Sequence, residues 1–113
     1  MKHTRSNLAI LTAAMFLAAL ASASAGDAKE IWDKQCAKCH GPDGKGETKM
    51  GKKLGLKDLT DTKVQSEMKD EEMLKTIKEG IKDKQDVVRM KPAEGISADE
   101  AKALVQHVRG LKK

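Results

Sequence analysis

The sequence predicts an all-α fold, and three observations predict it. Apolar residues recur at helical spacing in three stretches, around Trp32, Ile77 and Leu104. No stretch alternates apolar and polar residues as a half-buried strand would. Helix-start chemistry stands at the head of each apolar stretch: Asp27 with Glu30, the acids Asp70, Glu71 and Glu72, and Ser97 with Glu100.

In chain order, the first element is a leader. Met1 to Asn7 carries Lys2 and Arg5 and no acid, Leu8 to Ala21 is an apolar run broken by Thr12, and Ala21-Ser22-Ala23-Ser24-Ala25 supplies small residues. A basic end, an apolar core and an A-x-A site read as a secretory signal peptide, 1–25, cleaved after Ala25 or, second, after Ala23. The apolar run of 14 residues is short of the roughly 20 that span a bilayer. The mature protein, 26–113, is expected to be exported to the periplasm, and no later segment is apolar enough to span a membrane.

The mature chain is one small domain of 88 residues, with little apolar surface to bury. Phe16 and Trp32 are the only aromatic residues, and Phe16 leaves with the leader. A core with one aromatic has room for a large flat apolar cofactor. Removing Lys2 and Arg5 takes 22 basic residues to 20 against 17 acids, a formal +3. The bases are mostly scattered lysines without interleaved aromatics, which argues against nucleic-acid binding, and none is expected.

Asp27 to about His40 reads as the first helix, N-capped by Asp27, with Ala28, Ile31, Trp32, Gln35, Cys36 and Cys39 on one stripe. Gly41 to Gly55 holds five glycines and Pro42 and reads as a loop. A short helix is expected near Thr60 to Met68. The next opens at Asp70, carries Met73, Leu74, Ile77 and Ile81, and stops at Gly80. Lys82 to Ile96, with Pro92 and Gly95, reads as irregular. The last helix opens with the capping box Ser97–Glu100 and buries Ala101, Leu104, Val105, Val108 and Leu111.

Cys36-Ala37-Lys38-Cys39-His40 carries the chemistry. Residues three and four apart share a helix face, so both thiols and the imidazole project towards one object. Two thiols can add to the two vinyl groups of one haem while the adjacent imidazole reaches its iron, and C-x-x-C-H is the c-type attachment pattern. A thioredoxin-like site would need a βαβ pattern around the motif, which is absent. A zinc site needs four ligands, and the mature chain adds only His107 to these three.

The stretches CAKCHGPDGKGETKMGKKLG and RMKPAEGISADEAKALVQHVRGLKK resemble the small class I c-type cytochromes of bacteria. The resemblance spans nearly the whole mature chain and includes the order of parts: attachment motif, methionine loop about fifty residues later, C-terminal helix. It implies a small cytochrome c fold, three to five helices wrapped around one covalently bound haem c. The first and last helices would cross, with the Asp70–Gly80 helix closing a third side. It further implies an electron carrier rather than an enzyme.

The sixth iron ligand has five candidates: Met50, Met68, Met73, Met90 and His107. Met73 sits in a helical stripe and reads as core filler, and Met68 joins the same cluster. Met50 lies ten residues after His40 and would struggle to reach the opposite haem face. Met90 lies between helices, just before Pro92, where the family places its ligand; Met50 is the alternative. His107 flanks the apolar face of the last helix, where the family usually has an aromatic ring, and is read as a ring packed on the first helix against Trp32.

Two departures from the family stand out. Met90-Lys91-Pro92-Ala93-Glu94 inserts a lysine and lacks the family's aromatic. No proline lies between Pro42 and Pro92 to offer its carbonyl to the proximal imidazole, so a backbone carbonyl near Lys49 to Leu54 is expected in that role.

With His40 and Met90 as ligands, the resemblance implies single-electron transfer between larger redox proteins, by a monomer. Lys38, Lys45, Lys49, Lys52, Lys53 and Lys91 flank the motif or the methionine loop and are candidates for docking an acidic partner. A haem-based ligand sensor, or a cytochrome subunit of a larger oxidoreductase, are the alternatives.

Overall fold

The structure, a computed structural model, describes residues 25–113. The expected leader lies outside the described residues except for Ala25, its last residue.

The first rod runs unbroken from Ala25 to His40 as α1 (Ala25–Ile31), a π turn (Trp32–Cys36) and α2 (Ala37–His40). It is already helical at Ala25, the first described residue, two residues before the expected start. Asp27 is therefore not the N-cap but lies in the first turn, where its charge faces the positive end of the helix dipole. The π turn, closed by the Ala37 N–H on the Trp32 carbonyl, adds one residue to a turn and leaves no mark in the apolar stripe. Ion pairs Lys29–Asp33 (2.7 Å) and Lys34–Glu30 (2.8 Å) lie on the exposed side, where solvent screening leaves them little stabilising effect. Gly41, at φ +84°, ends the rod.

The glycine-rich stretch is not all loop. α3 (Lys49–Leu54) forms inside it, N-capped by Thr48, whose Oγ1 accepts from the Gly51 N–H (2.8 Å), and stopped by left-handed Gly55. Gly51 reads as a breaker but serves packing. A Cβ there would collide with the carbonyl oxygens of Gly46 and Cys39, so glycine lets α3 press against the end of the first rod.

α4 (Thr62–Glu67) is capped by Asp61, which accepts from the Lys63 and Val64 N–H groups. α5 (Asp70–Glu79) has its three acids in the first turn and ends at Gly80, φ +72°, as expected. The next stretch corrects the expectation of no strand. β1 (Ile81–Lys82) and β2 (Val88–Met90) pair antiparallel, Ile81 opposite Met90 and Lys82 opposite Val88, with an irregularity between. Asp83 ties the turn: its Oδ1 accepts from Gln85 N–H (2.9 Å) and Val87 N–H (3.0 Å). Strands of two and three residues, exposed on most of their length, are too short for period-two patterning to register.

α6 (Ala98–Gly110) follows the expected capping box: Ser97 Oγ accepts from Glu100 N–H (3.1 Å), and Glu100 Oε1 accepts from Ser97 N–H (2.9 Å). α6 packs across α1 and against α5. The core at this crossing is Ala28, Trp32, Ile77, Ala101, Leu104, Val105 and Val108. Arg109 ties the C-terminal end of α6 to α4 and α5. It donates to Asp70 (2.8 Å), to the Gln65 carbonyl (2.6 Å) and to the Met68 carbonyl (2.5 Å). The all-α expectation holds apart from the hairpin, and the described residues form five helical rods.

Candidate cofactor site

Cys36 closes the π turn, and Cys39 and His40 end α2, so the motif occupies the last turns of the first rod. Both thiols are free rather than joined as a disulfide. Burial pushes the Cys36 thiol up to about 11, so it stays protonated at neutral pH. A redox-active cysteine needs the opposite, a thiol drawn down towards thiolate, which counts against a thiol–disulfide switch. His107, the fourth donor a zinc site would need, lies against Trp32 instead. Among the described residues no three His, Cys, Asp or Glu side chains converge as metal donors.

The His40 ring is tilted on Trp32, with centroids 5.7 Å apart. Burial holds its pKa below the ordinary histidine value, favouring the neutral imidazole that a metal requires. Its Nδ1 is buried and has no hydrogen-bond partner. The carbonyl expected from Lys49 to Leu54 is therefore not supplied. That stretch is α3, and its carbonyls close the helix: Gly51 O accepts from Leu56 N–H (2.9 Å) and Lys52 O from Gly55 N–H (3.3 Å). The loop after the motif folds back instead on the rod's own end, where Gly46 N–H donates to the His40 carbonyl (2.7 Å).

Thr48 is a residue that sequence reasoning missed. Its hydroxyl donates to the Cys39 carbonyl (2.5 Å) while capping α3, so one side chain welds the attachment turn to the next helix. A threonine before a lysine-rich helix was the available signal, hidden by the surrounding glycines.

Met90 ends β2 and is half-buried. The hairpin through Met90 is regular, whereas residues 91–97 carry no regular secondary structure, as expected, and are held by specific contacts. Ala93 N–H donates to the Ile77 carbonyl (2.9 Å), and a Cβ at Gly80 would strike the Met90 carbonyl and Pro92. Gln35, next to Cys36, hydrogen-bonds Glu94 twice and so joins this segment to the first rod. Met68 and Met73 pack against the core as expected, whereas Met50, expected in a loop, stands on α3, 43% exposed. His107 is a packing ring, 5.2 Å from Trp32 and tilted by 41°. Trp32 thus lies between His107 and His40, and its Nε1 donates to the Gly41 carbonyl (3.1 Å).

The residues fit a covalently held haem. Two free thiols and an adjacent imidazole that burial keeps neutral lie at the end of one rod, a donor set that suits a thioether-linked haem, and a methionine lies on a pinned segment joined to that rod. A rod ending in C-x-x-C-H, crossed by a C-terminal helix and followed by a methionine hairpin, defines a small class I c-type cytochrome.

Comparison with known proteins bears this out. Residues 23–108 match the family described as "Cytochrome C oxidase, cbb3-type, subunit III", and the chain belongs to that family of c-type cytochrome domains. Among solved structures it is similar to the "KustC0563 c-type cytochrome", at 34% identity and a TM-score of 0.64, over 76% of this chain and 98% of that one. A point variant of the same cytochrome matches at 34% identity and a TM-score of 0.63, covering 76% and 99%. A search of curated proteins gives no match. The fold is the cytochrome c fold, and the domain implies covalently bound haem c and redox partners.

Proposed function

We propose that this protein is an exported electron carrier of the periplasm, holding one haem c through Cys36 and Cys39, with His40 and Met90 as the axial iron ligands. The bound haem supplies a one-electron couple. Cys36 and Cys39 fasten it to the rod, and His40, kept neutral by burial, offers a lone pair to the iron. The observation that carries the reading is the Met90 segment. It is pinned to α5 through Gly80 and Ala93 and joined by Gln35 to the rod that bears Cys36, Cys39 and His40. A neutral imidazole with a thioether raises the potential relative to two imidazoles. His40 and Met90 together would leave the iron no open site for oxygen or peroxide, which would separate a carrier from a ligand sensor.

Purified holoprotein tests this. Intact mass should correspond to a chain starting at Gly26 plus one covalent haem. The oxidised protein should show the weak near-infrared band of a methionine–iron bond, and Met90→Ala should abolish it and let the ferrous protein bind carbon monoxide. A band that survives Met90→Ala and is lost in Met50→Ala moves the ligand to Met50. Rapid carbon monoxide binding by the unaltered protein favours the sensor.

Redox partners meet this chain at the haem edge. Lys38, Lys49, Lys52, Lys53 and Lys91 are exposed around the motif and the methionine segment, with Lys45 half-buried beside them. They suit an acidic docking face. Electron-transfer rate with the native partner should fall as salt rises, since charges are screened beyond about 8 Å at physiological ionic strength. A rate indifferent to salt would make these lysines ordinary solvated surface. The family description, which names an oxidase subunit, favours a second reading, in which the chain serves as the cytochrome subunit of a larger oxidoreductase. Among the described residues no helix is long and apolar enough to cross a membrane.

A further inference from the structure

Gln35 makes two hydrogen bonds to one residue 59 positions away. Its Nε2 donates to the Glu94 carbonyl (2.8 Å), and its Oε1 accepts from the Glu94 N–H (2.8 Å). A side-chain amide thus pairs with a main-chain residue much as a neighbouring strand would. Glutamine is among the few side chains that can do this, because it carries donor and acceptor on one planar group.

The position matters more than the bonds. Gln35 immediately precedes Cys36, and Glu94 lies four residues after Met90. The other backbone ties of the methionine segment run to α5 and its hairpin: Ala93 to Ile77, Met90 to Ile81, and the tight approach at Gly80. The Gln35 pair runs to the rod that carries the attachment motif. The two candidate axial ligands stand on these two separate parts of the fold. Ala93 and Ile96 also pack on the core, so the segment has a seat, and Gln35 closes it from the solvent side.

We infer that Gln35 is the positioning residue for Met90. By clasping Glu94 it holds the methionine segment against the attachment rod and sets how often the sulfur leaves the iron. This rests on the His40/Met90 reading above. The bonds are exposed, so their contribution is modest: removing both should raise the population of the open segment about tenfold, equivalent to about 1.4 kcal/mol.

The test compares holoprotein of Gln35→Leu, Gln35→Glu and Met90→Ala with the unaltered protein. Leucine keeps helix propensity and loses both hydrogen bonds; glutamate at neutral pH keeps the acceptor and loses the donor. Carbon monoxide binding to the ferrous protein requires the methionine to leave, so its rate should scale with the open fraction. It should rise about tenfold in Gln35→Leu and less in Gln35→Glu. Hydrogen exchange supplies the second readout. The Glu94 amide should exchange faster in Gln35→Leu and stay protected in Gln35→Glu, while Leu104 and Val105 in α6 exchange as before. An unchanged carbon monoxide rate in Gln35→Leu overturns the inference, provided Met90→Ala has lost the methionine band. Faster exchange throughout α6 also overturns it, since Gln35 would then act through global stability. If Met90→Ala keeps the band, the His40/Met90 reading falls first and this inference falls with it.

Discussion

The crossing of α1 with α6 and the methionine segment from Ile81 to Ile96 are held by different means. At the crossing, Leu104 is 1% exposed, and Ala28, Trp32, Ala101, Val105 and Val108 close around it. Side-chain burial does the holding there. In the hairpin, Ile81, Val87 and Val88 are 45–52% exposed, and order comes from backbone pairing, the Asp83 turn and the glycine at 80. The crossing should therefore be sensitive to side-chain size and the segment to backbone geometry. On the proposed His40/Met90 reading, the two would serve different ends: a firm support for the attachment rod, and a Met90-bearing segment whose opening can be tuned separately.

The largest expected effect lies at the crossing. Leu104→Ala should destabilise the holoprotein by about 2–5 kcal/mol in denaturant unfolding, through lost burial and a residual cavity. Val87→Ala, at a half-exposed hairpin position, should stay within about 0.5 kcal/mol. Equal losses at the two sites would break the contrast.

An intermediate effect tests the backbone side. Gly80→Ala forces a Cβ onto a residue at φ +72° and into the Met90 carbonyl and Pro92. It should cost about 1–3 kcal/mol and weaken the near-infrared methionine band. Gly55→Ala provides the control, because Gly55 has a similar φ of +66° but meets nothing within 4 Å. It should pay the conformational cost alone and leave the band intact. A band unaffected by Gly80→Ala would separate the glycine contact from Met90 placement.

The smallest effect concerns His107. Burial lowers its pKa from 6.5, with Lys29 pushing the same way and Asp33 opposing, and its Nε2 is buried without a partner. The unfolded chain therefore takes up the proton first as pH falls. Stability contributed by the neutral ring is fully present above 6.5 and is lost as pH drops below it through the folded value. His107→Phe should keep the ring on Trp32 and flatten this part of the pH–stability curve. If the curve keeps its slope, the proton uptake belongs to another group.

Much of the architecture was legible because its signals are local. Ser97 and Glu100 lie three residues apart and cap α6 as their spacing requires, and Asp70, Glu71 and Glu72 open α5. The motif was legible for the same reason: Cys36, Cys39 and His40 lie within five residues on one rod, so helix geometry alone groups them. The methionines sorted correctly in part: a helical stripe marked Met73 as filler before any partner was known, and Met68 joins it against the core.

What tertiary structure decided depends on contacts between distant residues. Gly51 reads as a breaker in any local window, and its value lies in the space it leaves for the Cys39 carbonyl, a contact made only when α3 meets the first rod. The missing carbonyl for His40 follows from the same helix, whose hydrogen bonds turn inward. The hairpin is too short to write a pattern, and its pairing is set by α5 ending at Gly80 beneath Met90. Gln35 showed only a place on an apolar stripe; that its amide meets Glu94 across 59 residues is a property of the folded chain. Sequence spacing specifies which groups a single helix turn presents, whereas bringing separate elements into register depends on loop closure and packing across the whole domain.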